Sequence, residues 1–141
     1  MAGFKRVKGA DRGFIVRTIS SLALVVGDLV AYSRSAYKVA KATNLSQVYD
    51  LAGIVVEATT TADTEVKLQR ITPGDEYEVD VTNNSNATHN YQRMLLTDEN
   101  AVNNTGTDNA TDEAVFLQIG TVGTAANKKI VGEFDLFKKT A

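Results

Sequence analysis

The chain has 141 residues, 43% hydrophobic and 23% charged, with a formal net charge of −2. It is long enough for one domain with a core and too apolar for wholesale disorder. It has no cysteine and a single histidine, which excludes disulfide frameworks, thiol chemistry and the usual zinc ligand sets.

Charge is unevenly placed. Residues 1–17 carry Lys5, Arg6, Lys8, Arg12 and Arg17 against Asp11 alone, a net +4 that leaves −6 for the rest of the chain. With Gly3, Gly9 and Gly13 among them and no apolar periodicity, residues 1–13 read as a flexible basic arm on an acidic body. No apolar stretch of signal-peptide length follows it. The longest apolar run, Leu22–Val26, falls far short of the ~20 residues that cross a bilayer.

Residues 14–141 read as a succession of short strands. Phe14–Ile19 is the first. Leu22–Val26 runs into the turn pair Gly27-Asp28, and Leu29–Tyr32 against Tyr37–Ala40 forms a hairpin around a Ser-rich loop. Asn44–Asp50 supplies one helical turn capped by Asn44 or Ser46. Leu51–Ala58, Glu65–Ile71 and Glu76–Thr82 follow as three strands. In the last, Tyr77, Val79 and Val81 alternate with Glu76, Glu78 and Asp80. A hairpin centred on Pro73-Gly74 would pair Val66 with Val81, Leu68 with Val79, Lys67 with Asp80 and Gln69 with Glu78. Pro-Gly favours a type II turn, however, whose twist suits a tight hairpin poorly.

Thr82–Asn90 is a polar loop and Tyr91–Leu96 a strand. Residues 97–113 read as a long Asn/Thr/Asp-rich loop, followed by strands at Val115–Ile119 and Lys129–Phe137. In the last strand Ile130, Phe134 and Leu136 face one way, Val131 and Phe137 the other. Sixteen threonines, one proline and strand spacings of about 8–14 residues indicate an all-β protein, a single small barrel or sandwich.

Residues suited to chemistry are few. His89 lies in a polar loop, with no G-x-S-x-G element to supply a nucleophile. Gly120 and Gly123 lack the further glycine and helix of a phosphate cradle. Glu76 and Glu78 fall on the outer face of a strand, where carboxylates are solvated. Asp98, Glu99, Asp108, Asp112 and Glu113 are hard oxygen ligands, but without calcium-loop spacing they read as a surface loop. The N-x-[ST] triplets at Asn44, Asn83, Asn86, Asn103 and Asn109 reflect composition. The expectation is therefore no enzyme, no metal and no cofactor.

Several segments together resemble the small decoration, or cement, proteins that bind the outside of tailed-bacteriophage capsids. They are Gly27–Ala31 with Tyr37–Thr43, Leu51–Glu57, and Val66–Ile71 with Thr72-Pro73-Gly74 and the acidic strand after it. Tyr91–Asn103, Val115–Val122 and Ile130–Phe134 complete the likeness, which covers roughly residues 20–137. It is one of layout and composition. It implies a barrel or tulip-like domain, made in the host cytoplasm and residing on the capsid exterior. The resemblance further implies a homotrimer, with the major capsid protein as partner and neither nucleic acid nor membrane bound. Candidate capsid contacts are Phe4, Lys5, Arg6, Lys8, Arg12 and Phe14; candidates for self-association are Val131, Phe134 and Phe137. For the phenylalanines, Phe134 above all, plain core packing is the competing reading. The alternative function is another virion or adhesive module, a tail or fibre domain recognising a surface glycan through the Asn/Asp loops. A small barrel enzyme or nucleic-acid binder fits least, given the acidic body.

Overall fold

The computed structural model describes residues 3–47, 50–105 and 114–135. Its strands are β1 (Lys5–Lys8), β2 (Ile15–Thr18), β3 (Leu29–Ser33), β4 (Lys38–Lys41), β5 (Leu51–Val55) and β6 (Glu65–Gln69). They continue with β7 (Glu76–Val81), β8 (Arg93–Asp98), β9 (Ala101–Asn103), β10 (Phe116–Thr121) and β11 (Lys129–Phe134). The protein is all-β, and among the described residues helical structure is limited to short 3-10 turns such as Arg34–Ala36 and Ala87–His89.

One sheet runs β1-β7-β11-β10-β8-β9, and β9 pairs back onto β7, so that five of its strands close into a small barrel. The closing pair is parallel, Asp80 beside Ala101 and Val81 beside Val102. The second sheet, β2-β6-β5-β3-β4, is antiparallel at every step. β3 and β5 form the wall between two cores. Leu29, Ala31 and Ile54 join the barrel core of Tyr77, Met94, Phe116, Ile130 and Phe134. Val30, Ala52 and Val55 join a second core with Ile19, Leu24, Val39, Val66 and Leu68. A strand covered on both faces has no solvent side, which is why Leu29-Val30-Ala31 and Ile54-Val55 are apolar without alternation.

The expected β3–β4 hairpin forms, with Tyr32 opposite Val39 and Ala31 opposite Ala40. The alternation of β7 is also as expected, Tyr77, Val79 and Val81 buried. The hairpin expected between β6 and β7 does not form. β6 lies between β2 and β5 in the second sheet, while β7 lies in the barrel sheet. Lys67 therefore sits opposite Val16 with its Nζ 2.9 Å from Glu57, and Asp80 pairs with Lys129 at 2.6 Å. The Pro73-Gly74 turn itself is as its residues dictate: Gly74 has φ 87°, and Asp75 N–H donates to the Thr72 carbonyl at 3.2 Å. Its twist carries the chain from one sheet to the other, delivering Val66 and Leu68 to one core and Val79 and Val81 to the other.

Two further expectations change. Residues 97–113 are not wholly loop, because Ala101–Asn103 forms the strand that closes the barrel; residues 106–113 lie outside the described residues. The basic arm is not free over residues 3–8. β1 pairs antiparallel with β7, Arg6 beside Tyr77 and Lys5 beside Glu78. Phe4 is 3% exposed, with its ring centroid 5.0 Å from that of Phe134 and 5.7 Å from that of Phe116. Its amide donates to the Gly27 carbonyl at 2.8 Å, and the Gly3 amide to the Asn100 carbonyl at 3.2 Å. Burial of the Phe4 ring acts together with the β1–β7 ladder and these two amide hydrogen bonds to offset the entropy of ordering the segment.

Gly132 in β11 leaves room for its neighbours, since a Cβ there would run into the Leu117 carbonyl and the Phe116 ring. Removing the Phe4 ring leaves a cavity beside the Phe116 and Phe134 rings. Phe4→Ala is expected to lower the unfolding free energy by about 3–5 kcal/mol. Urea denaturation of the full chain reads this, and an unchanged midpoint would place Phe4 outside the core.

Candidate functional site

The basic N-terminal residues are largely committed to the fold. Asp75, 5% exposed, receives Arg12 Nη1 at 3.1 Å and Arg6 Nη1 at 3.9 Å. Arg6 also faces Asp11 at 3.9 Å. In the amide orientation that satisfies both groups, Gln69 accepts from Arg6 Nη1 and Nη2 at 3.1 and 3.0 Å. Gly9 has φ 132°, and a Cβ there would collide with the Asp75 carboxylate, so the glycine lets the 9–13 segment lie across the acid. Tyr77 lies beneath, and burial, reinforced by the nearby Asp75 charge, raises its phenol above the ordinary range.

Of the sequence-predicted capsid contacts, Phe4 is core and Arg6 is tied down internally, so neither is presented outward. Lys5, Lys8 and Phe14 are exposed; Lys8 pairs with Glu76 at 3.4 Å. Arg12 is half exposed while holding Asp75. Phe14 and Val16 lie on the outer side of the second sheet, and Lys67 Nζ stands 5.2 Å from the Phe14 ring centroid. The predicted self-association residues are likewise separated. Phe134 is buried in the four-ring cluster of the barrel, Val131 is half-buried beside Glu78, and Phe137 lies outside the described residues.

A groove that sequence reasoning did not find lies where β2 faces β3 and β4. It encloses about 460 Å³ and is lined by Arg17, Thr18, Tyr32, Ser33, Tyr37, Lys38 and Val39. Arg17 Nε donates to the Tyr32 hydroxyl at 3.0 Å, and Arg17 Nη1 to the Val16 carbonyl at 2.9 Å. Tyr37 has φ 56° and is 90% exposed, so a backbone conformation unusual for a tyrosine holds its ring in solvent. Arg17 and Tyr32 come together only through the sheet, and no local motif links them.

The Asn-rich loops serve largely internal ends. Asn104, 4% exposed, donates to the carbonyls of Asn83 and Asn84 at 3.1 Å each, and accepts from the Asn83 amide at 3.0 Å. Asn86 caps the turn that carries His89. Asp98 accepts from the Asn100 amide, and Glu99 pairs with Lys41 at 3.6 Å. Among the described residues no three of His, Asp and Glu come together as metal ligands; Asp108, Asp112 and Glu113 lie outside them. No helix of the described residues is long and apolar enough to cross a membrane.

These features define a small all-β protein, a closed five-stranded barrel with a second antiparallel sheet packed on it, and a groove at that sheet's edge. Comparison with protein families, characterised proteins and solved structures gave no match.

Asp28, 2% exposed, accepts from the Val25 amide at 3.0 Å. Burial, the largest influence, raises its pKa above the ordinary aspartate value; the Val25 bond opposes this, Glu99 and Asp98 add to it, and Lys41 opposes it. Its folded pKa exceeds its unfolded one, so the folded chain takes up this proton first as pH falls. The group's contribution to stability is therefore present in acid and lost as pH rises through the folded pKa. Asp28→Asn removes that contribution. Thermal unfolding across the acid range should show wild type gaining on the variant as pH falls, and a pH-independent difference would contradict the raised pKa.

Proposed function

We propose that this chain is a structural virion protein that binds the outer surface of a phage capsid and stabilises it by bridging capsid subunits. The likeness in strand layout supports this reading, and so does a two-core body. The observation that carries it is the outward surface around Phe14 and Val16, 55% and 41% exposed, with the Lys67 ammonium beside the Phe14 ring. An exposed aromatic anchor with cations at its margin has the composition of a protein-docking patch. Lys5 and Lys8 add exposed positive charge on β1. Assembly as a homotrimer belongs to the same proposal, with Val131 on the outer side of the barrel as its remaining described candidate. Such a protein acts by repetition. Each copy adds a modest contact, and linkage among copies raises the effective concentration of the next.

Deleting residues 2–13 would remove Phe4 from the core, so point substitutions at exposed positions give the cleaner test. The protein is expected to co-sediment saturably with undecorated phage capsids. Phe14→Ser combined with Lys5→Glu and Lys8→Glu should weaken binding roughly tenfold or more while the fold is retained. Rising salt should weaken the wild type in the same direction. No co-sedimentation at low salt would overturn the proposal.

A further inference from the structure

We propose that the open seam between β2 and β4 docks an acidic, extended segment of a partner protein. The segment lies in the groove over that seam and sets its carboxylates against Arg17 and Lys38. The second sheet is antiparallel at each of its four steps, so β2 and β4 run in the same direction. The two strands come into contact but share no ladder. In the barrel the corresponding parallel closure is made, by β9 on β7. Here Ile15–Thr18 and Lys38–Lys41 each keep one edge without a strand partner among the described residues. The strands stand too close for a further strand to enter between them, so a bound segment is held by the side chains that line the groove.

The side chains at the seam select for charge. The groove contains two cations and no carboxylate. Cations on neighbouring strands are already matched, Lys41 to Glu99 and Lys67 to Glu57. Lys38 makes no ion pair among the described residues, and Arg17 is held by Tyr32 and the Val16 carbonyl with Nη2 left over. Lysines on an edge repel a second copy of the same Lys38–Lys41 strand; a glutamate- or aspartate-bearing strand meets them favourably. Tyr32 and the exposed Tyr37 supply apolar wall for the residues between those acids. The inference deepens the capsid-binding reading by naming the chemistry of one contact, and it relies on that reading only for the partner's identity.

The test uses the full chain and a fluorescein-labelled peptide of alternating glutamate and valine. Anisotropy should show saturable binding that alternating lysine–valine and serine–valine peptides lack. Arg17→Gln with Lys38→Glu should weaken it roughly tenfold without changing the melting temperature appreciably. Unchanged affinity in the double variant or equal competition by free glutamate would each overturn the inference, the latter by marking a small-anion site instead. If the peptide fails to bind while capsids bind normally, the inference falls and the decoration reading stands. If the peptide binds while capsids do not, the acidic-strand site stands and the decoration reading falls.

Discussion

Much of the fold depends on one packing event, the insertion of Phe4 against Phe116 and Phe134. Phe4 packs against Phe116 and Phe134, and Phe134 in turn meets Tyr77 at a centroid separation of 5.2 Å. The main chain at Phe4 is hydrogen-bonded to Gly27 at the entrance to β3, and at Gly3 to Asn100 just before β9. One short segment thus touches both sheets and the strand that closes the barrel. Its ring is buried on their shared side, and its position gives β1 a starting point along β7.

The charged residues around it follow from that placement. Once β1 lies on β7, Arg6 is largely withdrawn from solvent and needs acceptors. Asp75 and the Gln69 amide supply them, and Arg12 completes the ring of contacts from the 9–13 segment. A buried carboxylate with two guanidiniums leaves neither sign uncompensated, which is the condition for retaining such charges inside a protein. The positive character visible in residues 1–17 is accordingly divided. Part holds the fold together, and part, at Lys5 and Arg17, remains to meet a partner in the proposed reading.

Legibility in the sequence followed interaction range. The β3–β4 hairpin could be read because a short Ser-rich loop joins two segments of strand length. The burial of Tyr77, Val79 and Val81 could be read because period-two patterning has one physical meaning in a strand. The β6–β7 hairpin misled because the same alternation fits any partner; only the type II preference of Pro73-Gly74 warned that the two strands part company. β9 is three residues long and carries one buried side chain, Val102, too little signal to stand out within an Asn/Thr-rich stretch. The Arg17–Tyr32 groove was invisible because it joins positions fifteen residues apart through strand neighbours that the sequence does not specify.

By itself, then, the sequence determined the all-β class, the positions of most strands, the inward face of β7 and the lack of any thiol or polyhistidine chemistry. Those properties follow from composition and from side-chain periodicity along single strands. The tertiary structure decided which strand lies beside which. It placed Phe4 inside and left Phe14 outside, and it left β2 and β4 unjoined. The physical reason is that apolar side chains specify that they must be buried but not against whom. With two cores available, closure, connection twist and shared volume choose between them.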